Sequence, residues 1–140
     1  MSHRQRIVVA NWKANLPPGE EVALAGEIAT ELARQHDVAA PMSVEVLLAP
    51  SHLALVAVTS HLRREHPTIG IGTVAQDVSA AEAGAHTGES PALHLLGIAD
   101  GVIVGHSERR TLHRETDTDV RAKALAAWRA GLTAVVCIGE

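Results

Sequence analysis

Phenylalanine and tyrosine are absent from this chain, and its only aromatic rings outside histidine are Trp12 and Trp128. A hydrophobic core must then be filled by Ala, Val, Leu and Ile, with little aromatic surface left for stacking on bases. Cysteine is almost as scarce. Cys137 stands alone, which excludes an internal disulfide and fits a reducing compartment. An excess of basic residues is also missing. Lys and Arg number 12 against 16 Asp and Glu, a net charge of −4 that argues against a nucleic-acid binder. No apolar stretch reaches membrane-spanning length. Met1-Ser2-His3-Arg4-Gln5-Arg6 leads into a short strand-like run rather than the apolar core of a secretion signal. Linkers, low-complexity tracts and obvious repeats are lacking. What remains is 140 residues, 46% hydrophobic and 20% charged. That composition predicts one globular domain over residues 1–140, soluble and cytoplasmic.

Two periods alternate along the chain. Ile7–Ala10, Val44–Ala49, Ile69–Ala75, Gly101–Val104 and Thr133–Ile138 are short runs rich in β-branched residues. Such runs suit strands of a parallel sheet buried on both faces. Between them, Val22, Ala25, Ile28, Ala29 and Leu32 recur at three- and four-residue spacing, predicting a helix from Pro17 to Arg34. Leu55, Val58 and Leu62 predict a second helix from Ser51 to Arg64. A shorter one is expected over Ser90–Leu96, with Ser90 as N-cap and Pro91 at its first position. A long one is expected over Asp117–Ala130, stopped by Gly131. Strict alternation of five strands with four intervening helices means an α/β fold with a parallel sheet and right-handed crossovers, open or closing into a barrel.

Two strand ends deliver chemistry-bearing residues, where an α/β protein normally places them. The run Gly101-Val102-Ile103-Val104 leads into Gly105-His106-Ser107-Glu108-Arg109-Arg110, and Ile7-Val8-Val9-Ala10 leads into Asn11-Trp12-Lys13. Taken singly, a His-Ser pair after a strand is as well read as a polar loop, and Lys13 as a solvated cation. The remaining histidines form no metal-ligand spacing; His61/His66 and His113-x-Glu115 are weak patterns. Gly70-Ile71-Gly72 sits at the start of a strand, not between strand and helix, and is no dinucleotide fingerprint.

Five blocks in order resemble the triosephosphate isomerase family. They are Asn11-Trp12-Lys13, Ala75-Gln76-Asp77, Gly84-Ala85-His86-Thr87-Gly88-Glu89, Gly105-His106-Ser107-Glu108-Arg109-Arg110 and Cys137-Ile138-Gly139-Glu140. The resemblance implies a (β/α)8 TIM barrel, here as an incomplete barrel of five strands, with its site at the C-terminal strand ends. It implies interconversion of dihydroxyacetone phosphate and glyceraldehyde 3-phosphate through an enediolate, a step of glycolysis and gluconeogenesis that needs no cofactor or metal. Removing a proton beside a carbonyl requires a base near the carbon and donors aimed at the oxygen where charge develops. By resemblance His106 is the electrophile, a neutral imidazole donating to the enediolate oxygens. Lys13 stabilises that charge and the substrate phosphate, and Asn11 adds an uncharged donor. Glu108 ties the lysine into the hydrogen-bond network, although an ion pair with Arg109 or Arg110 explains it equally well. Ser107 is supporting rather than nucleophilic, the two arginines are structural, and Cys137 is a small buried hydrophobe.

Thr87, by resemblance, reaches a second copy near its Asn11 and Lys13, implying a homodimer. His86 and Ala14 depart from the residues usual in the family and bear on that interface. Family members carry a glutamate base after strand six, a lid, and a phosphate cradle after strands seven and eight. None has a counterpart before Glu140. The expectation is therefore that this chain alone has little isomerase activity. Two other readings stay open: a non-catalytic half-barrel that serves as an assembly module, and a different sugar-phosphate enzyme on a related scaffold.

Overall fold

Each of the five apolar runs forms a strand, and every strand pairs in parallel with the next one in sequence. In the computed structural model of the protein, residues 6–35 and 44–139 are described. They fall into two compact units, Met1–Thr73 and Val74–Glu140, with strand β3 (Ile71–Ala75) contributing to both.

The first unit contains β1 (Arg6–Asn11), α1 (Pro18–Gln35), β2 (Val44–Ala49), α2 (His52–Glu65) and the start of β3. Register runs from Arg6 opposite Val44 to Asn11 opposite Ala49, and from Val46 opposite Ile71 to Leu48 opposite Thr73. Ala25 and Ala29 on α1 pack with Leu48, Ala54, Val58 and Leu62, so small residues meet larger aliphatic ones across the layers. Trp12, Val22 and Ile28 close over this cluster. The two helices approach closely at Gly26, where a Cβ would lie 2.8 Å from His61 Nε2. Thr59 on α2 and Thr73 on β3 are both buried and satisfy each other through a 2.8 Å hydroxyl–hydroxyl bond.

The second unit holds the end of β3, a one-turn 3-10 helix (Ala92–Leu95), β4 (Gly101–Val104), α3 (Ser107–Leu112), α4 (Asp117–Arg129) and β5 (Thr133–Val136). Val74 and Ala75 pair with Gly101 and Val102, and β4 pairs with β5 from Gly101 opposite Thr133 to Val104 opposite Val136. At Gly101 a Cβ would come within 2.5 Å of the Thr133 carbonyl oxygen, so only glycine permits this approach of β4 to β5. Helix α4 opens on a capping box, with Thr116 N–H donating to Asp119 Oδ2 and Asp119 N–H to Thr116 Oγ1. It closes on the predicted glycine. Gly131 (φ 81) donates to Trp128 O and Leu132 to Ala127 O, the paired bonds of a Schellman motif.

Three local expectations are corrected. The segment Ser90–Leu96 is not an α-helix but a single 3-10 turn over Ala92–Leu95, preceded by extended Pro91. Its apolar contacts, Ala92 and Leu95, are three residues apart, the period a 3-10 turn brings onto one face. A helix not anticipated, α3, spans Ser107–Leu112 and begins inside the Gly105–Arg110 motif. Burial on both faces holds for all of β4 but not for β1, where Ile7 and Val8 are about half exposed. β1 pairs with β2 alone among the described residues, and β5 with β4 alone. No helix of the described residues is long and apolar enough to cross a membrane.

Candidate active site

One group of candidate residues lies at the end of β1. Asn11, its last residue, stands opposite Ala49, and the next amide, Trp12 N–H, donates to Ala49 O at 3.2 Å. The chain then turns back on itself. Asn11 Oδ1 accepts the Lys13 N–H at 2.9 Å, and both the backbone N–H and the side-chain NH2 of Asn15 donate to Trp12 O. Lys13 is held at φ 57, a left-handed conformation that a side-chain-bearing residue adopts at a cost. With Oδ1 committed to the turn, the amide NH2 of Asn11 is the end available as a donor. The structure thus brings Asn11 and Lys13 together through one Asx-type turn.

Sequence reading missed Glu21 in this unit. It lies in the first turn of α1, is 1% exposed, and accepts the Ser51 N–H at Oε2 at 2.7 Å. The signal was present: Glu21, Ala25 and Ala29 are spaced by four, which puts the carboxylate on the helix's buried face.

A separate group lies at the end of β4. Gly105 is at φ 70, and a Cβ there would sit 2.8 Å from both methyls of Val120 and 3.1 Å from Arg110 Nη2. Glycine alone lets the chain turn here, and the turn sets His106 as the N-cap of α3. His106 Nδ1 accepts the Glu108 N–H at 3.2 Å, and the Glu108 carboxylate lies 3.4 Å from the same nitrogen. One ring nitrogen cannot both accept that N–H and donate to the carboxylate. With Nδ1 accepting, the proton of a neutral ring resides on Nε2. Ser107 is the first residue of α3.

Arg109 and Arg110 fix α3 from behind. Arg110 donates to Gly105 O at 2.9 Å, Cys137 O at 3.2 Å and Asp117 Oδ1 at 2.7 Å, joining the ends of β4 and β5 to the start of α4. Arg109 Nε contacts Glu115 Oε1 at 2.6 Å and Asp77 Oδ2 at 3.1 Å. Lys123, 7% exposed, donates to both oxygens of Asp77 at 2.8 Å and to Glu115. Burial acts to raise the Glu115 carboxyl's pKa. Hydrogen bonds and charge from Lys123 and Arg109 outweigh it, leaving the group below its ordinary value of 4.5. This four-residue network was also missed, since no local spacing links Asp77 to Lys123. Both arginines are held by partners within the fold.

Cys137 is half-buried, and its N–H donates to Val104 O at 2.9 Å. The loop over residues 80–89 is largely exposed, including Thr87. It is shaped by Gly84 and Gly88 at positive φ and by a Glu89 N–H bond to His86 O. Among the described residues no group of three or more His, Cys, Asp or Glu could hold a metal ion.

Comparison with known proteins gives a consistent picture. The triosephosphate isomerase family model matches residues 6–140. The triosephosphate isomerase of Chelativorans sp. (strain BNC1) is 43% identical over 135 residues, covering 96% of this chain and 50% of that one. That of Bordetella pertussis is 44% identical over 140 residues, covering 99% of this chain and 52% of that one. The chain spans about half the length of the curated relatives it matches. Among solved structures, triosephosphate isomerase from Bartonella henselae superposes with a TM-score of 0.83 at 34% identity, covering 98% of this chain and 53% of that chain. The fold is therefore that of the (β/α)-barrel family, represented here by five parallel strands and their helices.

Proposed function

The chain belongs to the triosephosphate isomerase family, and from that premise we propose that it serves the interconversion of dihydroxyacetone phosphate and glyceraldehyde 3-phosphate. The reaction removes a proton from the carbon beside a carbonyl and returns it to the neighbouring carbon, passing through an enediolate. The rate depends on donors already in place where oxygen gains negative charge.

The observation that carries this reading is the ring orientation of His106. Its Nδ1 is occupied by the Glu108 N–H at 3.2 Å, so the neutral ring presents Nε2–H as its donor. A neutral N–H suits an electrophile that must polarise a carbonyl and then shuttle a proton between the two enediolate oxygens. For Asn11 and Lys13 the reading assigns an amide donor, and an ammonium for the substrate phosphate and the developing charge. Ser107 and Glu108 support the ring. No residue of this chain is assigned as the base that takes the carbon-bound proton. The exposed loop carrying Thr87 is the segment through which a second copy would dock, and the protein is read as cytoplasmic.

The test is solvent isotope incorporation. Dihydroxyacetone phosphate is incubated in deuterium oxide with the protein at the length its own cell makes. The reading predicts protein-dependent deuterium at the carbon of returned dihydroxyacetone phosphate that loses its proton, together with glyceraldehyde 3-phosphate deuterated at the neighbouring carbon that receives one. Unlabelled, unconverted substrate would contradict it.

A further inference from the structure

We propose that Glu21 is the positioning residue for Lys13. The role of Lys13 rests on the isomerase reading above; the tether itself does not.

A carboxylate that is 1% exposed is costly unless its charge is used. Here Oε2 accepts the Ser51 N–H at 2.7 Å, while Oε1, also buried, has no hydrogen-bond partner. Ser51 is the N-cap of α2, its own hydroxyl makes no capping bond, and the first turn of α2 has no acidic residue. A carboxylate delivered from thirty residues earlier thus sits where helix α2 favours negative charge. That geometry accounts for the placement of Oε2, and the consequence extends along the chain in the other direction.

The stretch from Trp12 to the first turn of α1 is tied twice to the three residues Ala49, Pro50 and Ser51. At its near end Trp12 N–H donates to Ala49 O at 3.2 Å, and at its far end Ser51 N–H donates to Glu21. Between these ties lies Lys13 at φ 57, with its N–H on Asn11 Oδ1. A left-handed lysine persists only where its surroundings over-determine it. The near tie and the two Asn15 bonds to Trp12 O hold one end of the loop, and the far tie holds the other.

Three variants test this. Glu21→Met keeps the buried volume and removes the acceptor. Ser51→Pro fits the observed φ of −59 and removes the donor with Glu21 intact. Glu21→Gln keeps an acceptor for Ser51. Amide hydrogen exchange is followed at Lys13, Asn15, Leu48 and Val58, and affinity for inorganic phosphate is measured beside Lys13→Ala.

Glu21→Met and Ser51→Pro are expected to speed exchange at Lys13 and Asn15 by about tenfold with Leu48 and Val58 unchanged. Phosphate affinity should fall by the factor that Lys13→Ala produces, and Glu21→Gln should stay within about twofold of wild type on both readouts. Wild-type exchange at Lys13 and Asn15 in both variants overturns the proposal. So does a rise matched at Leu48, which would mean general loosening. Faster loop exchange in a protein whose phosphate affinity ignores Lys13→Ala upholds the tether and removes Lys13 from phosphate binding.

Discussion

His106 caps α3 by accepting the backbone N–H of Glu108 at Nδ1, at 3.2 Å. This one bond makes helix start and ring orientation the same structural event. The helix gains a partner for one of its unpaired N–H groups, and the imidazole loses a degree of freedom. Residues that hold α3 therefore also hold His106. Arg110 does so through the Gly105 carbonyl, directly before the histidine.

Gly105→Ala is expected to destabilise the protein by about 2–4 kcal/mol, because a Cβ meets both Val120 methyls and the backbone is left-handed. Urea unfolding measures it. Adding Val120→Ala should return only part of the loss, since the overlap is relieved while the left-handed backbone remains.

Lys123→Met removes the ammonium shared by Asp77 and Glu115, two carboxylates that Arg109 also contacts. The expected cost is about 3–5 kcal/mol, the range for breaking a buried pair from one side. The acid limb of the stability curve reports on the same network. The folded-state pKa of Glu115 lies below its ordinary value of 4.5, so its contribution is fully present above that pH. It is lost as pH falls through the lower folded value. Glu115→Gln should flatten that limb in urea midpoints taken from pH 6 downward.

Lys13→Gly should raise stability by about 0.5–1 kcal/mol, because glycine relaxes a left-handed position that lysine occupies under strain. It should also abolish the phosphate affinity assigned to the ammonium. Lys13→Ala should lose the affinity with no gain in stability. Calorimetry and phosphate titration on the same samples separate the two effects.

Much of the fold could be read from periodicity. The five strands fall where the β-branched runs stand, and α1, α2 and α4 follow their apolar spacing to within a residue or two. The Gly131 stop is as expected because an αL cap is a local preference. The 3-10 turn and α3 were not legible, being too short for a period to declare itself. The positions of Asn11, Lys13 and His106 at strand ends followed from motif order. Their supports did not. Arg110 reaches carbonyls of Gly105 and Cys137, and Lys123 reaches Asp77 across 46 residues of chain. Glu21 was hidden by the assumption that charge faces water, although its four-residue spacing to Ala25 placed it inside.

Turnover of glyceraldehyde 3-phosphate by the native-length protein and its His106→Gln variant decides whether His106 is the electrophile. The variant is expected to keep KM within about threefold while kcat falls by about two to four orders of magnitude, the scale of a lost electrophile. Equal kcat in the two proteins would contradict that role and remove His106 from the chemistry.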